Sequence, residues 1–240
     1  EAFLREMEGW RERLAKDIAL YNPNLSRREL NIAVQRTIDR IVFLRICEDR
    51  NIEGYARLKT TVRNQDGDAY NRLKKLFREA DGKYNSGLFD FSDNNSNETS
   101  DSVSMDINIS DQPLRYIIYG MYYPDSPYEF SVLPSDILGQ VYERFLGKVI
   151  ELSDSGKADI VEKPEVRKAG GVYYTPTYIV DYIVENTVGK LIEGKTPKAV
   201  ESIRVLDPAC GSGSFLIGAY QYLIDWHLNY YVERLTENGN

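Results

Sequence analysis

Along the first twenty residues the apolar positions Phe3, Leu4, Met7, Trp10, Leu14 and Ile18 recur every three or four residues, which predicts a helix to about Leu20 with one buried stripe. Asn22 and Pro23 stop it. Ser26 and Glu29 have the spacing of a capping box, in which each side chain satisfies a free backbone donor near the other, so a second helix starts there. Its stripe of Leu30, Val34, Ile38, Ile41 and Leu44 widens to nearly every side between Ile41 and Cys47, which predicts a central, buried helix. Arg45 and Asp49, four residues apart on it, are placed to pair. A third helix is predicted from Ala69 to Ala80, capped by Asp68 and ended by Gly82, with Tyr70, Leu73, Leu76 and Phe77 on its face. The polar run Ser92 to Ser104 reads as a surface loop. Asp111 is expected to cap a helix running through Tyr119 and Met121, and Ser135 with Asp136 to open one carrying Ile137, Val141, Tyr142 and Phe145.

The texture changes after Gly147. Val149 to Leu152 and Ile160 to Glu162 flank a Ser-Asp-Ser-Gly-Lys turn, which predicts a β-hairpin and places a domain boundary between residues 150 and 170. Beyond Gly170-Gly171 comes Val172-Tyr173-Tyr174-Thr175-Pro176, then a helical stripe of Ile179, Val180, Ile183, Val184, Val188 and Leu191. Thr175 as cap and Pro176 at the first helical position form a well-built helix start. Its free N–H groups and positive dipole end suit a carboxylate. Thirty residues on, Ile203 to Leu206 reads as a short strand, Asp207-Pro208-Ala209-Cys210-Gly211-Ser212-Gly213-Ser214-Phe215 as a loop, and Phe215, Leu216, Ala219, Leu223 and Trp226 as the stripe of a helix. Strand, glycine loop and helix are the opening unit of a doubly wound α/β fold, which binds ligands at the C-terminal ends of its strands.

The residues present narrow the ligand. Glycines at 211, 213 and 218 miss the dinucleotide spacing G-x-G-x-x-G, and no Gly-Lys-Ser/Thr ending is present for a phosphate-binding P-loop. Asp207, opening the loop, disfavours pyrophosphate and suits a zwitterion with an amino group. S-adenosylmethionine fits that description.

Composition sets the outer limits. With 240 residues, 42% of them apolar, the chain is long enough to bury a core. Two cysteines, Cys47 and Cys210, and one histidine, His227, leave no set for a Cys/His zinc site, so no metal is expected. No run approaches a membrane span and no signal-peptide block opens the chain, which predicts a cytoplasmic protein. The net charge of −7 argues against a nucleic-acid partner only as a total. Residues 1–91 carry 18 Lys+Arg against 15 Asp+Glu, residues 92–147 carry 2 against 9, and residues 148–240 carry 10 against 13. The arginines at 27, 28, 36, 40, 45, 50, 57 and 63 are read as a solvated, salt-bridged helix face in preference to a phosphate-contacting surface.

Gly-Val-Tyr-Tyr-Thr-Pro (171–176) followed by Asp-Pro-Ala-Cys-Gly-Ser-Gly-Ser-Phe (207–215) resembles motifs X and I of the N6-adenine DNA methyltransferases in which motif X precedes motif I. Upstream, the stretches 33–53, 83–89, 126–150 and 163–176 are similar to the connector and methyltransferase start of type IIG restriction-modification enzymes. That resemblance implies a mostly α chain with a small α/β part. A helical connector domain over 1–147, with its polar loop at 92–104, would lead through a β-hairpin linker at 148–170 into the first elements of a Rossmann-like methyltransferase domain at 171–240. It also implies roles. Tyr174, Thr175 and Pro176 would hold the methionine carboxylate of S-adenosylmethionine, Asp207 would face its ammonium, Pro208, Ala209, Cys210, Gly211 and Gly213 would line it, and Phe215 would pack beneath. Tyr173 would border a flipped adenine whose amino nitrogen attacks the methyl group. Such transfer needs no covalent enzyme intermediate, so Cys210 is read as a small loop residue.

The catalytic Asn/Asp/Ser-Pro-Pro-Tyr/Phe of that family has no match here, since Asp125-Ser126-Pro127-Tyr128 lacks the first proline and reads as a turn. No catalytic residue is therefore assigned. Glu193-Gly194-Lys195 has a nuclease-like spacing without a partner aspartate on a preceding strand. The expectation is an inactive fragment of a parent enzyme that methylates double-stranded DNA. Two other classes stay open, a dinucleotide-binding oxidoreductase fragment of NAD type and a non-catalytic helical interaction module.

Overall fold

The computed structural model describes residues 2–84, 86–91, 101, 103–132, 135–152, 158–169 and 174–238, which are mostly helical with one two-stranded sheet. They fall into two compact units, Glu1–Leu133 with Phe145–Gly170, and Pro134–Arg144 with Gly171–Asn240.

The first unit is built around two long helices, α1 (Ala2–Tyr21) and α2 (Arg27–Asp49). Every stripe residue expected to face the core from α2 is buried, and the capping box at its start is complete, with Glu29 N donating to Ser26 Oγ and Ser26 N to Glu29 Oε2 at 2.8 Å. Around this pair lie α3 (Arg57–Thr61), α4 (Ala69–Tyr84), α5 (Val103–Asp106) and α6 (Asp111–Tyr119). The hairpin follows as predicted: β1 (Lys148–Leu152) runs antiparallel to β2 (Ala158–Glu162), with Ile150 opposite Ile160. It packs on α1 and α2 and leads into the short α8 (Pro164–Ala169). The turn at 153–157 lies outside the described residues.

Three local expectations need correction. Gly82 does not end α4, which runs on to Tyr84; an interior glycine costs only about 1 kcal/mol, and the Tyr84 ring packs against Phe43 and Phe89. Asp68 does not cap that helix by itself. The Ala69 N–H donates instead to Asp111, whose carboxylate also takes the Gly67 N–H and thereby ties α4 to α6. Asp111 is thus the first residue of α6 and not its cap, a position taken by Ser110, whose own hydroxyl is held by Asp17.

Of the arginines, Arg27, Arg28, Arg50 and Arg63 are exposed, and two others depart from a solvated face. Arg27, Arg36, Arg45 and Arg57 all have protein partners, Arg45 pairing with Asp49 as the spacing predicts. Arg40 and Arg45 are buried. Arg40 meets Asp101 at 2.8 Å, donates to Ser104 Oγ and to Leu88 O, and lies over the ring of Phe91. The end of the run expected to be a surface loop is therefore core at Asp101 and Ser104, because a buried guanidinium needs a buried carboxylate. Residues 92–100 and 102 lie outside the described residues. Arg11, buried over the Phe145 ring, donates to the backbone oxygens of Phe145 and Lys148; burial, partly offset by Asp39 and Glu8, lowers its pKa to about 10.

The second unit comprises most of α7 (Ser135–Leu146), α9 (Thr177–Val184), a π-helical turn (Glu185–Gly189), α10 (Lys190–Ile192), α11 (Pro197–Val200) and α12 (Ser214–Asn238). Val180, Val184, Val188 and Ala219 form its core, with Phe215, Tyr222 and Leu223 packed against them. Residues 203–206 run as chain without a strand partner among the described residues, and Leu206 is 85% exposed, so the predicted strand is not formed. A strand is defined by its ladder, and an apolar run without a neighbour has none. No helix among the described residues is long and apolar enough to cross a membrane.

Candidate functional site

The helix start after Tyr174 differs by one residue from the predicted one. α9 begins at Thr177, and Pro176 (φ −56°, ψ 143°) occupies the cap position, its carbonyl taking the N–H groups of Ile179 and Val180. Thr175 stands before the cap and makes no side-chain cap bond, because an extended proline already turns the chain into the helix. Tyr174 and Thr175 are half-buried and Pro176 is exposed. Tyr173, with Gly170 to Val172, lies outside the described residues.

The glycine loop is organised by its own polar groups. Asp207 Oδ1 accepts the Ala209 N–H at 3.0 Å, a turn closed by an aspartate side chain, which leaves Oδ2 without a partner among the described residues. Gly213 N donates to Cys210 O at 2.7 Å, and the Ser212 and Ser214 hydroxyls are 2.9 Å apart. Gly211 and Gly213 have φ of +53° and +79°, the left-handed region in which a side chain would be strained. α12 then starts at Ser214, its first turn closed by Ile217 N donating to Gly213 O. Pro208, Ala209, Cys210 and Gly211 are exposed.

Gly218, the glycine that spoils a dinucleotide spacing, has a packing role. A β-carbon there would come within 2.8 Å of Val180 Cγ1, so its absence lets α12 lie directly on α9. Gly189 acts alike, since a β-carbon on it would meet the Tyr222 hydroxyl at 2.6 Å. The π-helical turn that presents Gly189 displaces carbonyls from the regular ladder; Asn186 and Thr187 take those of Tyr182 and Ile183 at 2.9 and 2.7 Å. Phe215 lies among Val180, Val184, Val188 and Ala219, and so holds the loop to α9.

The consequence is that two sequence segments thirty residues apart meet. A groove of about 230 Å³ is lined by Gly139, Tyr174, Thr177, Ser212, Ser214 and Gly218 among others. α7 is the element that sequence reasoning missed: a β-carbon on Gly139 would lie 3.2 Å from the Tyr174 ring and 3.6 Å from Ser212 Cβ. A glycine inside a helix was the available signal, because it costs stability unless something packs closely on it. Ser126 and Tyr128 are in the first unit, where the Ser126 hydroxyl accepts the Tyr128 N–H and the Tyr128 ring packs edge-on to Phe3, which fits a turn. His227 is engaged with the Leu223 carbonyl oxygen at 2.7 Å. No cluster of metal-ligating side chains occurs among the described residues.

Residues 134–231, which hold the whole of this groove, match the family model for N-6 DNA Methylase. This segment is similar to the N-6 DNA methylase family. Over 233 residues, 97% of the chain, the sequence is 38% identical to the Type II restriction enzyme and methyltransferase RM.Eco57I of Escherichia coli, of which it spans 22%. It is 32% identical over 88 residues to the Type I restriction enzyme MjaIX methylase subunit of Methanocaldococcus jannaschii, spanning 12% of that protein. It is 28% identical over 120 residues to the Adenine-specific methyltransferase BrxX of Escherichia coli O9:H4, spanning 10% of it. The chain thus covers about a fifth or less of the length of these curated relatives. No solved structure matches it. The family match runs through α7, the groove and most of α12 as one block, so α7 belongs with the methylase segment in sequence as it does in packing.

Proposed function

We propose that this chain contributes the methyl-donor site of a site-specific DNA adenine-N6 methyltransferase in a type IIG restriction-modification protein of the cytoplasm, acting on double-stranded DNA. The observation that carries the proposal is the meeting of the α9 start with the glycine loop through the close approach of Gly218 to Val180. S-adenosylmethionine would supply an activated methyl group on a sulfonium. The donor set fits it. Free N–H groups at the start of α9 suit its carboxylate, Asp207 Oδ2 suits its ammonium, and the exposed backbone at Gly211, with half-buried Gly213 beside it, allows close approach without a β-carbon. Tyr174, Thr175 and Pro176 would shape the carboxylate end, with Pro208, Ala209 and Cys210 along the loop. Phe215 acts by positioning, and Tyr173 is assigned to the border of the flipped base.

The finer fold assignment is Rossmann-like. Support comes from α12, which carries apolar residues on two sides. One side packs on α9; the other presents Ile217, Tyr220, Ile224, Leu228, Tyr231 and Leu235 at spacings of three and four, each 41–73% exposed. A helix apolar on both sides is suited to lying between a sheet and a second helix. We assign the helical region before the hairpin to a connector and the part from residue 171 onward, with α7, to the methyltransferase.

The 240 residues contain no Asn/Asp/Ser-Pro-Pro-Tyr/Phe, so we assign them donor binding and not the amino-group chemistry. In the full-length protein, calorimetry is expected to show S-adenosylmethionine binding and no NAD binding, and labelled methyl groups should appear on adenine N6 of duplex DNA. Asp207→Ala should reduce donor binding at least tenfold. NAD binding in place of S-adenosylmethionine would favour the oxidoreductase reading, and unaltered donor binding in the variant would favour a purely structural loop. Methyl transfer by these 240 residues alone would overturn the division of labour.

A further inference from the structure

α7 brings one more polar group to the loop. Gly139 and Glu143 are four residues apart and so share one face of the helix. At Gly139 that face lies against Tyr174 and Ser212; at Glu143 it reaches Gly211, with the carboxylate Oε1 3.8 Å from where a β-carbon on Gly211 would be. The side chain is half-buried and has no hydrogen bond or ion pair among the described residues. Burial raises its pKa above the ordinary carboxylate value, with no nearby cation to offset the cost of the charge. The C-terminal turn of a helix is also an unfavourable place for an anion.

We infer that Glu143 is a cofactor-binding residue, a second carboxylate at the glycine loop that accepts a hydrogen bond from the α-ammonium of S-adenosylmethionine alongside Asp207. The inference rests on the methyl-donor reading above and adds α7 to the site. The two carboxylates divide the work. Asp207 gives one oxygen to the Ala209 N–H and so shapes the loop, whereas both Glu143 oxygens are uncommitted within the described structure. A half-buried carboxylate gains from a cation that arrives with the ligand, because the charge is compensated only in the complex. Gly139 keeps this face of α7 close to the loop: a β-carbon there would lie 3.2 Å from the Tyr174 ring and 3.6 Å from Ser212 Cβ.

The test compares two ligands in the full-length protein, S-adenosylhomocysteine and the analogue that lacks only its α-amino group. In the native protein, loss of the amino group should weaken binding at least thirtyfold. In Glu143→Gln, S-adenosylhomocysteine should bind at least tenfold more weakly while the deaminated analogue binds within twofold of its native affinity. An equal loss for both ligands, or none for either, overturns the assignment, since a carboxylate with only a structural role does not distinguish them. Should Glu143→Gln lower the thermal midpoint without ligand, Glu143→Asp carries the same comparison with its charge kept, and a selective loss of at least threefold is expected; a non-selective change overturns the assignment there too. Failure of the native protein to bind S-adenosylmethionine would sink the methyl-donor reading itself, whereas normal binding with an indifferent Glu143 sinks only this inference.

Discussion

Gly9 and Gly218 both sit inside helices, and an added methyl group should act on them in opposite directions. Around Gly9 nothing lies within 4 Å of a new β-carbon, so Gly9→Ala should stabilise the chain by about 0.5–1 kcal/mol through helix propensity. At Gly218 the new carbon would meet Val180, a β-branched residue with little rotamer freedom, at 2.8 Å. Overpacking of about 1–3 kcal/mol should outweigh the propensity gain, and Gly218→Ala should lose about 1 kcal/mol in chemical denaturation. Sequence alone shows both glycines in helical patterns and cannot tell them apart, since the difference is made by a residue thirty-eight positions away. Glu53 offers a second test. Burial would raise its carboxyl, but hydrogen bonds from Lys83, Tyr84 and Arg57 prevail and hold it at about 2. Because the folded value lies below the unfolded one, its contribution is complete above about pH 4.5 and is lost as the pH falls toward 2. Glu53→Gln should cost about 1–2 kcal/mol at pH 7 and almost nothing at pH 2, read from denaturation midpoints across that range.

Elements long enough to show a period were legible in the sequence. α1, α2, α6 and α7 begin or end within about a residue of the positions their stripes and flanking residues imply, and the hairpin formed where two alternating runs flank a turn. Helices of four to six residues, α3, α5, α8 and α11, were not legible, because one turn and a half contains no period to read, whereas α10 continues the stripe that ends at Leu191. Caps were read unevenly for a related reason. The Ser26–Glu29 box is local and closes on itself, whereas Asp111 is drawn away by backbone donors forty residues earlier in the chain. The local cap should behave as an independent element: Ser26→Ala is expected to lower stability by about 1 kcal/mol, and Glu29→Ala combined with it should add less than its own single effect, as a double-mutant cycle would show. In the candidate site the two motifs were legible as text, since glycines and capping residues mark them. The contribution of α7 was not, because a helix face acquires meaning only from what it touches.

At the scale of the molecule the net charge of −7 is a poor guide, since it is concentrated between residues 92 and 147 while the arginine-rich N-terminal region is spent largely on internal partners. Two compact units and two tryptophans also coincide: Trp10 is buried in the first unit, 3% exposed, and Trp226 is half-buried on α12 in the second. Each unit therefore contains its own fluorophore. Trp226→Phe should leave a blue-shifted emission and Trp10→Phe a redder one, and a denaturation series on each variant reads one unit at a time. Adding S-adenosylmethionine should raise the midpoint reported by Trp226 more than that reported by Trp10. Equal shifts would show the two units melting as one. The placement of two indole rings thus gives an optical means of assigning ligand stabilisation to a particular half of the chain, with no added label.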